Sequence, residues 1–222
     1  ESGLGDTDFD FNASQPVSLV YDDVVLENPI LKGFPVFDLD RVEVLRGPQG
    51  TLFGRNTPAG IVKFDSVKPG DELSGYGRVS YGRFNALNAQ GAVGGPIAGD
   101  AVSARISMLY QRQSDYIDNV LPGGTTKNAF EGYDEFAARL QFLLKPSEDL
   151  DILLSGQLRQ LDGTARVFRA NVFTRGQKGL NSNFSRYQVS TDGQNEQHVN
   201  TYNGSARITY DAGPVSLVSV TS

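Results

Sequence analysis

From Gly75 to the last residue, polar and apolar positions alternate, and nothing there carries the spacing of an amphipathic helix. Val102, Ala104, Ile106, Met108 and Tyr110 form one apolar stripe, interleaved with Ser103, Arg105, Ser107 and Leu109. Phe136, Ala138, Leu140, Phe142 and Leu144 form a second, interleaved with Ala137, Arg139, Gln141 and Leu143. Leu150, Ile152, Leu154, Gly156 and Leu158 form a third, and Tyr202, Gly204, Ala206, Ile208 and Tyr210 a fourth. Period two sustained this far predicts strands. Each stripe spans nine residues. Strands of soluble proteins usually run to about five or six residues. A tilted strand crosses hydrocarbon in roughly 9–11.

The arginines sharpen this reading. An arginine on a lipid face near the bilayer midplane costs roughly 2–4 kcal/mol. Arg105, Arg139 and Arg207 all take the polar parity within their stripes, and Arg159 takes it just past its own. Arg112 has the apolar parity but lies beyond Tyr110, at the expected rim. Tyr110, Phe136, Tyr202 and Tyr210 stand at stripe ends, where a membrane barrel carries its aromatic girdles. A soluble antiparallel sheet with one wet face would explain the alternation. It would not explain the common length or the terminal aromatics.

The links agree with a barrel. Short turn-rich links are expected at Gly94–Asp100, Lys145–Asp149 and Asp211–Pro214, and long polar loops at Ser114–Gly132 and Asp162–Glu196. Such alternation suits turns on the periplasmic side and loops outside. Two weaker, Gly-rich strands are expected at Leu73–Gly82 and Asn85–Gly95, joined by a link that is short although it should face outside. A further strand starts at Pro214, making about seven.

The first seventy residues are different. Pro16–Tyr21, Arg41–Arg46 and Ile61–Phe64 read as short strands, with a helical turn at Gln49–Phe53. The boundary between the two regions is expected near residue 70, giving units 1–70 and 71–222.

Composition removes several chemistries. The 222 residues contain no Cys, no Trp and one His, which excludes disulfides, thiolate sites and most histidine metal sites. The net charge of −6 argues against nucleic acid as a partner, because phosphate contacts need clustered Lys and Arg. No window approaches a transmembrane helix, and no signal peptide is visible at Glu1-Ser2-Gly3. A mean hydropathy of −0.30 does not weigh against barrel strands, which average out. Asp6-Thr7-Asp8-Phe9-Asp10 hints at calcium, but Phe11 and Val17 stand where an EF-hand needs Gly and Glu. No hydrolase, metalloprotease, P-loop or dinucleotide motif is present.

The stretch from Asp40 to Gly60, with Val42-Glu43-Val44-Leu45-Arg46-Gly47-Pro48 running into Leu52-Phe53-Gly54, is the most specific local signal. Glycine at Gly47 and Gly50 would permit angles or approaches that side chains forbid, with Pro48 fixing φ between them. This stretch resembles the plug-domain signature of TonB-dependent outer-membrane receptors. Arg46, Gly47, Pro48, Gly50, Gly54 and Gly60 match the family's plug positions, which are structural. The chain departs from the pattern at Ala59, Lys63 and Ser2.

The resemblance implies a mainly β fold: the C-terminal part of a plug domain, then about seven antiparallel strands of a transmembrane β-barrel of about 22 strands. Seven strands cannot close that barrel, so the chain is expected to be an internal piece of a longer polypeptide. The implied function is energy-coupled uptake of a scarce ligand across the outer membrane of a Gram-negative bacterium. A ferric siderophore is the first expectation, a cobalamin or oligosaccharide the others. Implied partners are outer-membrane lipid, the TonB complex (whose contact segment lies outside this chain) and a small-molecule ligand, with a monomeric barrel at full length. No cofactor and no enzymatic step are implied. By position, Asp8, Phe9, Phe11, Asn12 and Asn28 would contact ligand. Arg105, Arg139, Gln141, Arg159 and Arg207 would face the lumen. A soluble β-sandwich binding module, or another outer-membrane barrel such as a passive porin, would share the strands but not the plug-like stretch.

Overall fold

The computed structural model describes residues 17–26, 33–53, 57–164, 167, 169, 172–176, 178–193 and 196–222, with backbone only at 52 and 53. Asp8, Phe9, Phe11, Asn12, Asn28 and Gly54, together with the acidic run at Asp6–Asp10, lie outside the described residues.

Two sheets dominate. The first joins β1 (Val17–Tyr21), β2 (Val24–Leu26), β3 (Leu39–Arg46) and β4 (Gly60–Ser66) in the order β2-β1-β4-β3. Strand β1 runs parallel to β4 and antiparallel to β2, and β3 runs antiparallel to β4. All five residues of β1 are buried, as expected for a central strand covered on both faces. Leu19, Tyr21 and Leu26 form its core, with Val62 and Phe64 packed against them. A single helical turn, α1 (Gly50–Phe53), follows β3.

The second sheet has seven antiparallel strands joined in chain order: β5 (Ser74–Tyr81), β6 (Leu87–Ala98), β7 (Val102–Gln113), β10 (Tyr133–Ser147), β11 (Leu150–Thr164), β13 (Glu196–Asp211) and β14 (Ser216–Thr221). The link between β5 and β6 is a 3-10 turn at Arg83–Asn85. Register aligns the stripes across strands. Ile106 pairs with Leu140, Leu140 with Gly156, and Gly156 with Gly204. The stripes therefore make one continuous apolar band. Nine residues at about 3.4 Å each, tilted by ~40°, give it a height of roughly 23 Å, close to the ~25 Å apolar belt of outer-membrane barrels.

This sheet is inside-out by the standards of a soluble protein. On the apolar parity Met108 is 46% exposed and Leu140 43%. On the polar parity Arg139 is 1% exposed and Gln141 0%. A β-sandwich would put its apolar parity against the second sheet. Here the polar parity meets the first sheet, and the apolar band faces away, which removes the soluble alternative.

Three expectations change. The strands outrun their stripes: β10 and β11 have fifteen residues each and β13 sixteen. The ladder continues because its backbone hydrogen bonds are indifferent to whether lipid or water lies outside; the stripe marks lipid, not strand length. The loop expected at Ser114–Gly132 contains a hairpin, β8 (Ile117–Leu121) and β9 (Gly124–Phe130), to which β12 (Gln188–Val189) of the next long loop adds in parallel. Gly94 and Gly95, read as turn residues, lie inside β6. A Cβ at Gly94 would sit 2.8 Å from the Cβ of Arg105 and 2.9 Å from the Ala104 carbonyl oxygen. That glycine permits close backbone approach rather than a turn.

Candidate functional site: the contact between the plug sheet and the wall

The polar face of the seven-stranded wall carries the side chains that hold the first sheet. Asp38, just before β3, has a left-handed backbone (φ 51°) and a side chain with no exposure. Arg105 on β7 donates to it twice, Nε to Oδ2 at 2.8 Å and Nη2 to Oδ1 at 2.6 Å. Its side chain reaches Asp38 across Gly94 of the neighbouring strand, which leaves it room. Arg139 on β10 donates to the Phe37 carbonyl at 2.9 Å, to the Asp38 carbonyl at 3.2 Å, and to the Tyr21 hydroxyl. Its guanidinium carbon lies 4.9 Å from the Phe37 ring centroid and 5.4 Å from that of Tyr21, within cation–π range. Phe37 also packs on Leu109 and Ala137 of the wall. Burial raises the Tyr21 phenol above its ordinary range, with Arg139 opposing the shift.

A second, wetter contact lies along β10, β11 and β13. Gln141 donates to Ser66 Oγ at 3.0 Å, and Arg207 pairs with Asp23. Lys63 bridges Asp23 and Asp65, each at 3.2 Å, and Arg41 donates to Asp65 at 2.8 Å. Burial pushes the Asp65 carboxyl up, but Arg41 and Lys63 outweigh it and hold it below the usual carboxylate range. Burial likewise works against the Lys63 cation, and Asp65 and Asp23 outweigh it, so the ammonium is held above its usual range. These groups border a cleft of about 540 Å³ between the sheets, which Ser155 and Ser205 also line.

Arg159 behaves differently from the other wall arginines. It does not reach the first sheet; its Nε donates to Glu135 at 2.6 Å. The pair belongs to a second cavity, about 690 Å³, at the loop end of the wall. There Tyr116 donates to Glu131 at 2.6 Å, and Asp115 accepts from Gly132 N at 2.6 Å and from Thr164 Oγ1 at 3.0 Å. Asn119 exchanges two hydrogen bonds with the backbone of Thr191, joining the two long loops. The Phe84 ring of the 3-10 turn stacks on Tyr116 at 4.3 Å, so the short first link is covered by the longer ones.

Two of the plug-motif glycines hold backbone conformations that side chains rarely adopt. Gly47 has φ 87°, and its N–H donates to the Ala59 carbonyl at 3.1 Å. Gly60 is the most constrained: at φ 137° its Cβ would lie 2.2 Å from the Leu45 carbonyl oxygen. Gly50 corrects the expectation, since it has no left-handed backbone and open space around it. Pro48 and Arg46 are exposed.

Sequence reasoning named Arg105, Arg139, Gln141 and Arg207 but missed their partners Asp38, Ser66, Asp23, Tyr21 and Phe37. One signal for Asp38 was available. It is a lone acid inside Val36-Phe37-Asp38-Leu39, and a carboxylate in an apolar run needs a cation.

Residues 3–61 match the family model described as the TonB-dependent Receptor Plug Domain. Over that stretch the chain is similar to the plug domain of TonB-dependent receptors. The chain is 39% identical over 70 residues to the ferrioxamine B receptor of Salmonella typhimurium, covering 31% of this chain and 10% of that protein. It is 31% identical over 85 residues to the pesticin receptor of Yersinia enterocolitica, covering 38% and 12%. The chain thus spans about a tenth of the length of these curated relatives. In fold it matches the ferric yersiniabactin uptake receptor FyuA from Yersinia pestis, with a TM-score of 0.71 at 19% identity, over 90% of this chain and 30% of that one. The wall's apolar band is exposed, as an outer-membrane barrel's lipid-facing belt would be.

Proposed function

We propose that this chain supplies plug (1–70) and first wall strands (71–222) to a receptor that takes up a ferric siderophore across the outer membrane. The wall's polar face lines a hydrated lumen, the plug obstructs it, and TonB supplies the pull that loosens the plug. No bond is made or broken in the ligand. Asp8, Phe9, Phe11, Asn12 and Asn28 contact the ligand from the plug, and Arg105, Arg139, Gln141, Arg159 and Arg207 face the lumen. The observation that carries the reading is the reversed wall, which buries Arg105 and Arg139 on Asp38 while Met108 and Leu140 face outward. Names of the relatives support the cargo: ferrioxamine B for one, ferric yersiniabactin for another. The contact is suited to be held and then released. Its charges are paired and regain water on separation, so apart from Phe37 on Leu109 and Ala137 what separation breaks is polar.

The test is uptake by the full-length protein in iron-starved cells lacking their own siderophore receptors. Labelled ferric siderophore should accumulate only when TonB is present. Accumulation independent of TonB would point to a passive barrel.

A further inference from the structure

The short link at the loop end of the wall carries a residue in a conformation its side chain resists. The turn between β5 and β6 is closed by Gly82 N–H donating to the Ala86 carbonyl at 2.8 Å and Ala86 N–H donating to the Arg83 carbonyl at 3.2 Å. Within it Phe84 and Asn85 are both left-handed, at φ 59° and 55°. Asparagine visits that region readily, whereas a bulky aromatic residue rarely does. A residue needed only to turn the chain would be Gly or Asn.

The contacts of the Phe84 ring account for its presence. It stacks on Tyr116 at 4.3 Å and 15°, and lies 6.3 Å from the Tyr187 ring. The guanidinium carbon of Arg83 is 5.1 Å from its centroid. Tyr116 and Tyr187 meet edge to face at 6.5 Å. The Phe84 carbonyl also accepts from Ser114 N–H at 2.9 Å. Ser114 and Tyr116 belong to the first long loop, Tyr187 to the second. The two loops are joined by β12 on β8 and by Asp118 N–H donating to the Tyr187 carbonyl at 2.8 Å. They form one block, and Phe84 seats that block on the link between the first two wall strands. Tyr116 has a second role: its hydroxyl donates to Glu131 at 2.6 Å, and both residues line the loop-end cavity. What holds the Tyr116 ring therefore also sets the shape of that cavity.

We propose that Phe84 is a positioning residue for ligand capture: its left-handed backbone holds a ring that seats the two-loop block and keeps the loop-end cavity in its receptive shape. The inference rests on the uptake reading above and adds a residue to it. With the block seated in only a fraction of molecules, apparent affinity falls by that fraction, while passage of a ligand already bound is unchanged.

The experiment places spin labels in the full-length receptor at Lys127→Cys on β9 and Ser147→Cys at the turn end of β10, and measures the distance between them. Uptake is measured in parallel with radioactive-iron complexes of a hydroxamate, a catecholate and a hydroxycarboxylate siderophore. Phe84→Gly relaxes the backbone but removes the ring, and Phe84→Tyr keeps the ring. Phe84→Gly should broaden the distance distribution and raise the half-saturating ligand concentration about three- to tenfold, with the maximal uptake rate unchanged. Phe84→Tyr should match the original protein in all three readouts. A Phe84→Gly variant indistinguishable from the original would show that the position only turns the chain, and would overturn the proposal. A fall in maximal rate with no change in half-saturation would overturn it too. Failure of the original protein to take up any of the complexes would count against the uptake reading instead, with the spin-label distances still deciding whether the ring seats the loops.

Discussion

Arg105 of the wall and Asp38 of the plug sheet make a two-point ion pair, at 2.8 and 2.6 Å, with almost no solvent access to either side chain. Asp38→Ala leaves Arg105 buried without its counter-charge and weakens Arg139 as well. It should destabilise the plug–wall contact by about 3–5 kcal/mol, whereas replacing Arg105 and Asp38 together by apolar residues should recover much of that loss. Thermal unfolding of the full-length receptor, read by protease access to the plug, checks both. A double variant that loses as much as Asp38→Ala alone would show that the unpaired Arg105 charge is not the source of the cost.

Gly60→Ala forces a Cβ to within 2.2 Å of the Leu45 carbonyl oxygen at a φ of 137°. Strand β3 must then part from β4, with an expected cost of at least ~1–3 kcal/mol. Gly50→Ala, on open space, should cost well under that. Comparing the two by denaturant titration separates a motif glycine that is needed from one that is not.

Leu154 and Ser155 are adjacent on β11 and lie on opposite faces of the wall. Leu154 is on the apolar band, and Ser155 lines the cleft behind the plug. Spin labels at cysteines in these two positions should report lipid-phase oxygen and aqueous nickel chelate respectively. Arg139 is a poorer probe, because the plug packs over it. A swap of the two responses would mean the register is off by one residue.

Asp65 sets an acid limit and Lys63 an alkaline one. The carboxyl of Asp65 is depressed, so its stabilisation is present above the unfolded pKa of about 3.9 and is lost as pH falls through the lower folded value. The ammonium of Lys63 is raised, so its contribution is complete below about pH 10.4 and is lost as pH rises through the higher folded value. Asp65→Asn should weaken plug retention at neutral pH and flatten the acid limb, so that the variant and the original protein converge well below about pH 4.

Asn119 ties one long loop to the other through the Thr191 backbone, at 2.8 and 3.1 Å. Asn119→Ala removes both bonds at a cost of roughly 1–2 kcal/mol. Amide exchange should quicken in residues 114–132 and 185–193 together. Acceleration in one loop only would show that they move independently.

The sequence by itself determined the wall. Alternation is a local property of each strand, and lipid penalises a misplaced arginine so heavily that Arg105, Arg139 and Arg207 reveal the parity without a structure. The plug motif was legible for the same reason, since Gly47 and Gly60 answer to backbone conformation within a few residues. The tertiary structure alone decided which polar residues meet. Asp38 reaches Arg105 across 67 positions and Asp23 reaches Arg207 across 184, and no periodicity encodes such pairings. It also decided that Arg159 serves Glu135 rather than the plug, and that Gly94 makes room rather than a turn. Those outcomes depend on register between strands, which backbone hydrogen bonds and the shared apolar band set together.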